Sequence, residues 1–219
     1  MGDNLDDIQK DIQQFLGILE IVEDSDQYAI FHSLSKSTLF FKFIVDLGDN
    51  AHYPQYMIYD MLMVVYLLTK DSRREVYNTY RSLIENFIRY ELNLKDTDDT
   101  GVFKLFKNFR KQYEDVNTSA ILNFVEAEYG ICCNYVHSNI KANVQLLEYL
   151  ADIVQNPKMD SADKMKLLKE IEGFFNQIVT FCCYKNSESI GRAFFKKNQM
   201  LLFLIGEKNY QISRKDIDL

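Results

Sequence analysis

The sequence predicts an all-α fold: a single helical-bundle domain of about seven to nine helices. Apolar residues recur at helical spacing along most of the 219-residue chain. Only 8 Gly and 2 Pro are present, too few breakers for a fold of many strands. Hydrophobic residues make up 47% of the chain, among them 16 Phe and 14 Tyr, which predicts a large aromatic core.

The N-terminal part, residues 1–50, is expected to contribute the first helices. Residues 4–22 have one apolar face and acidic residues in the first turn. That face consists of Ile8, Ile12, Phe15 and Leu19. Residues 36–46 are rich in aromatic and β-branched residues and fit either a helix or a buried strand. The segment 47–54 predicts a break, since Pro54 suits the first turn of a new helix.

Residues 55–185 are expected to form the main bundle. Residues 55–69 are apolar on nearly all sides, which is typical of the central helix of a bundle. A long helix follows from a cap at Asp71 or Ser72 to about Leu94, and residues 95–101 predict the main connection. Further helices are predicted at 102–112, 119–139, 142–155 and 160–185.

The C-terminal part is expected to hold one more helix, at about 187–205, followed by a tail. The tail, residues 208–219, is compatible with fraying or with pairing as an edge strand. No internal repeat or low-complexity linker interrupts the chain, so residues 1–219 are predicted to be one domain.

The charge balance bears on partners and location. The net charge is −7 and the pI about 5.1, which argues against strong non-specific binding to nucleic acid but leaves room for a local basic groove. The start is acidic where a signal peptide needs a basic flank. The longest apolar runs, such as 61–68, are too short to span a bilayer. A cytoplasmic protein without membrane contact is expected.

The four cysteines form two vicinal pairs, Cys132–Cys133 and Cys182–Cys183. Neither pair has zinc-ligand spacing or the C-x-x-C pattern, and both lie in apolar helical contexts. They are therefore expected to be structural thiols. Glycine-rich phosphate loops, H-E-x-x-H, EF-hand loops and G-x-S-x-G are absent from the sequence, so no metal and no cofactor is predicted.

Two positions are candidates for chemistry. His137 lies beside the apolar stripe of its helix, with Asn134 one turn earlier. It is either a boundary histidine bonded to a carbonyl or to Asn134, or a titratable group at the edge of a cleft. His32 and His52 are expected in loop or boundary positions without chemistry. Arg81 borders the core face of its helix, where it pairs with Glu85 or binds a ligand anion.

The stretches "YRSLIEN" (80–86) and "CNYVHSN" (133–139) resemble motifs of the HEPN superfamily, most closely the divergent HEPN-like proteins of bacterial abortive-infection and related defence systems. The resemblance covers about residues 55–185. It implies an all-helical homodimer and a metal-independent endoribonuclease. At five to seven residues before the motif His, where active members carry Arg, this chain has Gly130, Ile131 and Cys132, so only His137 matches the motif.

On this hypothesis His137 acts as general base or acid while a ribose 2′-hydroxyl attacks the adjacent phosphate. Arg81, paired with Glu85, stabilises the phosphoryl oxygens, and Asn134 orients the imidazole. Four basic residues of the 102–112 helix are candidates for lining the RNA path, although such a run also fits an ordinary solvated face. They are Lys104, Lys107, Arg110 and Lys111.

A second hypothesis is a catalytically degenerate interaction or regulatory module, such as a toxin-neutralising partner or sensor subunit that binds a protein. A large exposed Phe/Tyr patch, for instance around 192–203, favours this module. A closed surface with one cleft that holds His137 and Arg81 favours the nuclease. A third hypothesis is a helical domain whose resemblance to HEPN proteins is accidental.

Overall fold

The computed structural model describes residues 4–45, 52–136 and 159–214. These residues form nine α-helices, and no strand occurs among them, which confirms the predicted all-α class. In chain order the helices are α1 (Leu5–Ile18), α2 (Tyr28–Ile44), α3 (His52–Thr69), α4 (Arg73–Glu91), α5 (Val102–Tyr113), α6 (Ser119–Val136), α7 (Ser161–Lys185), α8 (Ser187–Ala193) and α9 (Asn198–Arg214).

Helix α4 organises the core and packs against α3, α5 and α6. Its apolar face is buried. That face comprises Val76, Tyr77, Tyr80, Leu83, Ile84, Phe87 and Ile88. The ring of Phe87 meets Phe41, Phe109 and Phe181 edge-on, so α2, α4, α5 and α7 share one aromatic cluster. Each edge-to-face pair of this kind contributes about 0.5–1.5 kcal/mol beyond its buried area.

The ambiguous run 36–46 belongs largely to helix α2, which packs against α3, α7 and α9. Two of its buried hydroxyl groups are hydrogen-bonded within the helix. Ser35 and Thr38 donate hydrogen bonds to the carbonyls four residues earlier, at 2.8 and 2.9 Å. A helix buried on several sides can carry β-branched and aromatic residues as readily as a strand, so composition alone could not decide.

Helix ends follow the predicted breaks with small shifts. Asp160 caps α7, its carboxylate accepting a hydrogen bond from the Asp163 amide at 2.7 Å. Ser72 precedes α4 without a side-chain cap bond, and α4 ends at Glu91, slightly earlier than predicted. The 95–101 connection is fixed to α4 because Arg89 donates to the Asp98 carboxylate at 2.6 Å.

The prediction for the C-terminal part was wrong in two respects. The helix expected at 187–205 is divided into α8 and α9, and Lys196 between them has a φ of +58° that no helix accommodates. The expected tail is instead helical as far as Arg214, after a bend at Gly206. Within the described residues this segment packs as part of α9, because Ile212 and Ser213 are buried.

The prediction that residues 55–69 form a central helix was also wrong. Among the described residues, helix α3 packs against α4 and α2 with one side only. That side comprises Tyr53, Pro54, Met57, Asp60, Met61, Val64, Val65 and Leu68. Its opposite side is exposed, although that side is also largely apolar. The helix predicted at 119–139 is described as far as Val136, where α6 ends in the structure, and the helix predicted at 142–155 lies outside the described residues.

Candidate functional site

The seam between α4 and α6 carries most of the predicted catalytic residues. The two helices are antiparallel: Tyr77 stacks on Tyr135 with ring centroids 3.9 Å apart, and Tyr80 donates a hydrogen bond to Glu128 at 2.9 Å. Burial raises the pKa of the Glu128 carboxyl, an effect that the Tyr80 hydrogen bond opposes. These contacts fix the register that brings Arg81 to α6.

Arg81 is engaged by neighbours on both helices. Its Nε donates to the Glu85 carboxylate at 3.2 Å and to the Tyr129 hydroxyl at 3.1 Å, and Tyr129 donates to Glu85 at 2.8 Å. The guanidinium also lies over the Tyr129 ring, 5.6 Å from its centroid. The pKa of Arg81 is raised, because the contacts with Tyr129 and Glu85 outweigh the opposing effect of burial. The charge of Arg81 is thus compensated by Glu85 within this cluster.

Asn134 is exposed in the last turn of α6, two residues before the end of its described part. His137, the one residue that matches the HEPN motif, lies outside the described residues. Its pairing with Asn134 and its approach to Arg81 therefore stay predictions.

The basic run on α5 divides into two groups. Lys104, Lys107 and Lys111 are exposed and share one side of the helix at spacings of three and four. Arg110 instead bridges to α6, donating to Glu126 at 2.6 Å and to Asn123 at 2.7 Å. Three lysines therefore remain on the outer side of α5, and Arg110 serves to join two helices.

The other histidines and the cysteines lie in the packed bundle or beside tyrosines. His32, predicted at a boundary, is instead inside α2, where its ring stacks on Tyr28 and burial lowers its pKa. His52 begins α3 and contacts the ring of Tyr56. All four cysteines are free thiols, and burial raises the pKa of Cys132, Cys182 and Cys183.

Within residues 4–45, 52–136 and 159–214, no three His, Cys, Asp or Glu side chains are arranged to hold a metal ion. None of the helices in these ranges is long and apolar enough to cross a membrane.

The exposed side of α3 is the candidate site that the sequence did not single out. We call it the tyrosine face: His52, Gln55, Tyr56, Tyr59, Leu62, Met63, Tyr66 and Lys70. Tyr56, Tyr59 and Tyr66 are 50%, 58% and 44% exposed. The only acidic residue of α3, Asp60, is buried and accepts a hydrogen bond from Asn86 at 2.8 Å. The face is therefore aromatic and free of acidic residues in a chain of net charge −7.

An open pocket of about 510 Å³ borders the tyrosine face. Its walls come from three helices: Met63 and Leu67 of α3, Arg74, Glu75, Asn78 and Thr79 of α4, and Val136 of α6. Met63 belongs to both features, so the apolar face continues on this side into a rim of mixed polarity.

The segment 192–203, where a large exposed Phe/Tyr patch would favour the interaction module, exposes few apolar side chains. Phe195 and Leu202 are exposed there, whereas Phe194, Met200 and Leu201 are buried.

A signal for the tyrosine face was present in the sequence. Tyr56, Tyr59, Met63 and Tyr66 recur at spacings of three and four, opposite the stripe formed by Met57, Met61, Val64 and Leu68. Two apolar stripes on one helix predict two covering surfaces, whereas the helices within residues 4–45, 52–136 and 159–214 provide one.

Comparison of the chain with protein-family models, with curated proteins and with solved structures gives no match.

Proposed function

We propose that this protein is a helical interaction module that binds another protein chain through the tyrosine face. The observation that carries the proposal is a helix with apolar residues all round, of which the described helices cover one side. Helices of this kind are normally buried on all sides. A contiguous exposed apolar patch with polar residues at its rim is typical of a protein interaction site.

The chemistry of the tyrosine face favours a protein over a nucleic acid as its binding partner. Phosphate contacts come mainly from Lys and Arg, and Lys70 at one end is the only such residue of the face. Tyrosine and methionine are enriched in protein interfaces, and buried tyrosines often contribute most of the binding energy. Three tyrosines and a methionine on successive turns suit an apolar helix or a flat apolar surface as partner.

The resemblance to HEPN-like defence proteins adds the context of this proposal. It implies a cytoplasmic homodimer and, where the catalytic motif is incomplete, a regulatory or toxin-neutralising role. The proposal is compatible with either a second copy or a different protein on the tyrosine face.

A photo-crosslinking amino acid at position 59 tests the proposal in cells of the native host. Tyr59 is half exposed at the centre of the face, so the exchange should not disturb the core. We expect covalent protein adducts on irradiation, detected as discrete larger species with an antibody to the chain. The matched control carries the same amino acid at Phe103, which is 89% exposed on α5. Adducts that are absent at 59, or equally abundant at 103, would refute the docking role.

Metal-independent RNA cleavage is the second candidate. It is favoured by the position of Arg81, which contacts Tyr129 of α6, the helix whose described part ends one residue before His137. Release of Arg81 from Glu85 on RNA binding would let its guanidinium pair with a phosphate.

The test is RNA degradation by purified protein in excess chelator, with wild type beside His137→Ala and Arg81→Ala. Catalysis by the composite site predicts cleavage that both variants lose by at least about 100-fold. Lys185→Ala, on a residue that pairs with Asp115 away from this seam, serves as the control for surface charge. Intact RNA with all proteins folded would exclude the nuclease and leave the interaction module.

A further inference from the structure

We infer that the chain bound by the tyrosine face is a second copy of this protein, with the two α3 helices packed antiparallel across a two-fold axis. The inference rests on the proposed docking function and adds the identity of the partner and the register of the contact.

The tyrosine face is self-complementary when it is reversed. Its large apolar residues lie symmetrically about the level of residue 61. An antiparallel pair centred there sets Tyr59 of one copy opposite Met63 of the other, and Tyr56 opposite Tyr66. Two-fold interfaces need this kind of self-complementary patch, because the same residues serve on both sides. The spacing of three and four residues also suits side chains that interdigitate between two helices.

The charge at one end of the face selects the antiparallel direction. Lys70 is exposed beside Tyr66, with its Nζ 5.1 Å from the ring centroid. A parallel pair would bring the two Lys70 ammonium groups together. In the antiparallel pair, Lys70 is level with His52 of the second copy, and its side chain reaches toward Tyr56 of that copy because side chains lean toward the N-terminus of their own helix. The ammonium can then lie against an aromatic ring of each copy.

The distribution of charge also favours a second copy over an oppositely charged partner. Each chain carries a net charge of −7, so most of its surface repels a copy of itself. The outward side of α3 has no acidic residue, and its one carboxylate, Asp60, is buried and bonded to Asn86. A basic partner would find no carboxylate on this face, whereas a second copy meets an uncharged surface like its own.

The area of the face is consistent with a weak dimer. The half-exposed tyrosines Tyr56, Tyr59 and Tyr66 each offer on the order of 100 Å² for burial. Helix α3 is 18 residues, or about 27 Å, long, so the face runs along about five turns of helix. Together these tyrosines offer on the order of 300 Å², which is less than the roughly 800 Å² per partner of a standard interface, so the contact belongs with the weaker, transient interfaces. A dissociation constant on the order of micromolar is expected, so the dimer should depend on concentration.

Sedimentation equilibrium at about 1 to 100 µM tests the second copy as partner. Wild type should approach twice the 25.8 kDa chain mass as its concentration rises. Tyr59→Glu should weaken the dimer at least about 30-fold, because two carboxylates would be buried near the axis. The matched control, Phe103→Glu, adds the same charge at an exposed aromatic residue on α5 and should leave the dimer unchanged.

Cysteine crosslinking tests the register. A mixture of Tyr59→Cys protein and Met63→Cys protein should form a disulfide-linked dimer on mild oxidation, since these positions face each other. Each variant alone should crosslink far less, because its two cysteines lie about 6 Å apart along the axis, in addition to the separation of the helices. Wild type with its four native thiols is the oxidation control. Equal crosslinking in all samples would overturn the register.

The outcomes separate this inference from the docking function. A wild-type chain that stays monomeric at 100 µM, or a dimer insensitive to Tyr59→Glu, overturns the second copy as partner. If the adduct at position 59 in cells then has a mass other than twice that of the chain, the docking function stands and the partner is a different protein. If position 59 gives no adduct in cells and the purified chain stays monomeric, both fail.

Discussion

Glu91, in the last turn of α4, is a carboxylate buried where three helices meet. It accepts hydrogen bonds from the Asn186 amide at 2.9 and 3.1 Å and from the Cys182 thiol at 3.4 Å. Its main-chain carbonyl accepts the Tyr113 hydroxyl. Burial raises the pKa of Glu91 from 4.5 to about 7, although the bonds from Asn186 and Cys182 oppose that shift. The carboxyl therefore titrates near neutrality inside the core.

Glu91→Gln should remove a pH dependence of stability. Since the folded-state pKa of Glu91 is raised, the folded chain holds this proton more tightly than the unfolded chain. The stabilising effect is full below about pH 4.5 and is lost as the pH rises to about 7, a change of about 3 kcal/mol. Urea unfolding from pH 5 to 8 should show wild type losing stability relative to Glu91→Gln. Parallel pH profiles for the two proteins would contradict the assignment.

At the level of single residues, the sequence predicted contacts within one helix and missed those between helices. The Arg81–Glu85 pair follows from a spacing of four residues, and it is present. Tyr129, which binds both, is 48 residues from Arg81, so its role depends on how α4 and α6 pair. Glu91 lies in a stretch that looks like an exposed helix end, and its contacts come from residues far along the chain, Tyr113, Cys182 and Asn186.

Gly206, within α9, is a position where glycine is required by the backbone. Its φ of +74° and ψ of +165° lie in a region that is essentially restricted to glycine. Gly206→Ala should therefore lower the free energy of unfolding by about 1–3 kcal/mol, although nothing lies within 4 Å of the added methyl. Urea unfolding measures this change. The matched control is Gly130→Ala in α6, a helical position with equal space.

Gly130→Ala should raise the free energy of unfolding by about 0.5–1 kcal/mol, since alanine is favoured over glycine within a helix. The two substitutions should thus change the free energy of unfolding in opposite directions, although each adds one methyl group. Equal effects of both substitutions would show that the bend at Gly206 does not depend on glycine.

At the level of elements, periodicity predicted most helices but not what covers them. The apolar character of residues 55–69 correctly indicates a helix that needs covering on all sides. It does not say whether the cover comes from the same chain, because that depends on how many helices reach α3. The prediction of a single helix at 187–205 was wrong because no Gly or Pro marks the break at Lys196 in the sequence.

For the whole molecule, composition was sufficient to predict the all-α class, and the helical spacing of α4 was sufficient to predict its core face. The candidate site required the three-dimensional arrangement. Tyr59 and Leu83 are both apolar residues of long helices, yet one is 58% exposed and the other is fully buried. Only the packing of α2 and α4 against one side of α3 distinguishes a surface tyrosine from a core residue.

The net charge of the chain predicts how salt should affect self-association. Two copies that each carry −7 repel one another at a distance, while the tyrosine face, through which we propose that they associate, contains no acidic residue. The screening length falls from about 30 Å at 0.01 M salt to about 3 Å at 1 M, so added salt removes the repulsion and leaves the apolar contact. Raising sodium chloride from about 0.02 to 0.5 M should therefore tighten the wild-type dimer several-fold in sedimentation equilibrium. Tyr59→Glu should stay monomeric throughout that range. A dimer that weakens with salt would mean that ion pairs hold the two copies together, and the contact would then have to lie away from the tyrosine face.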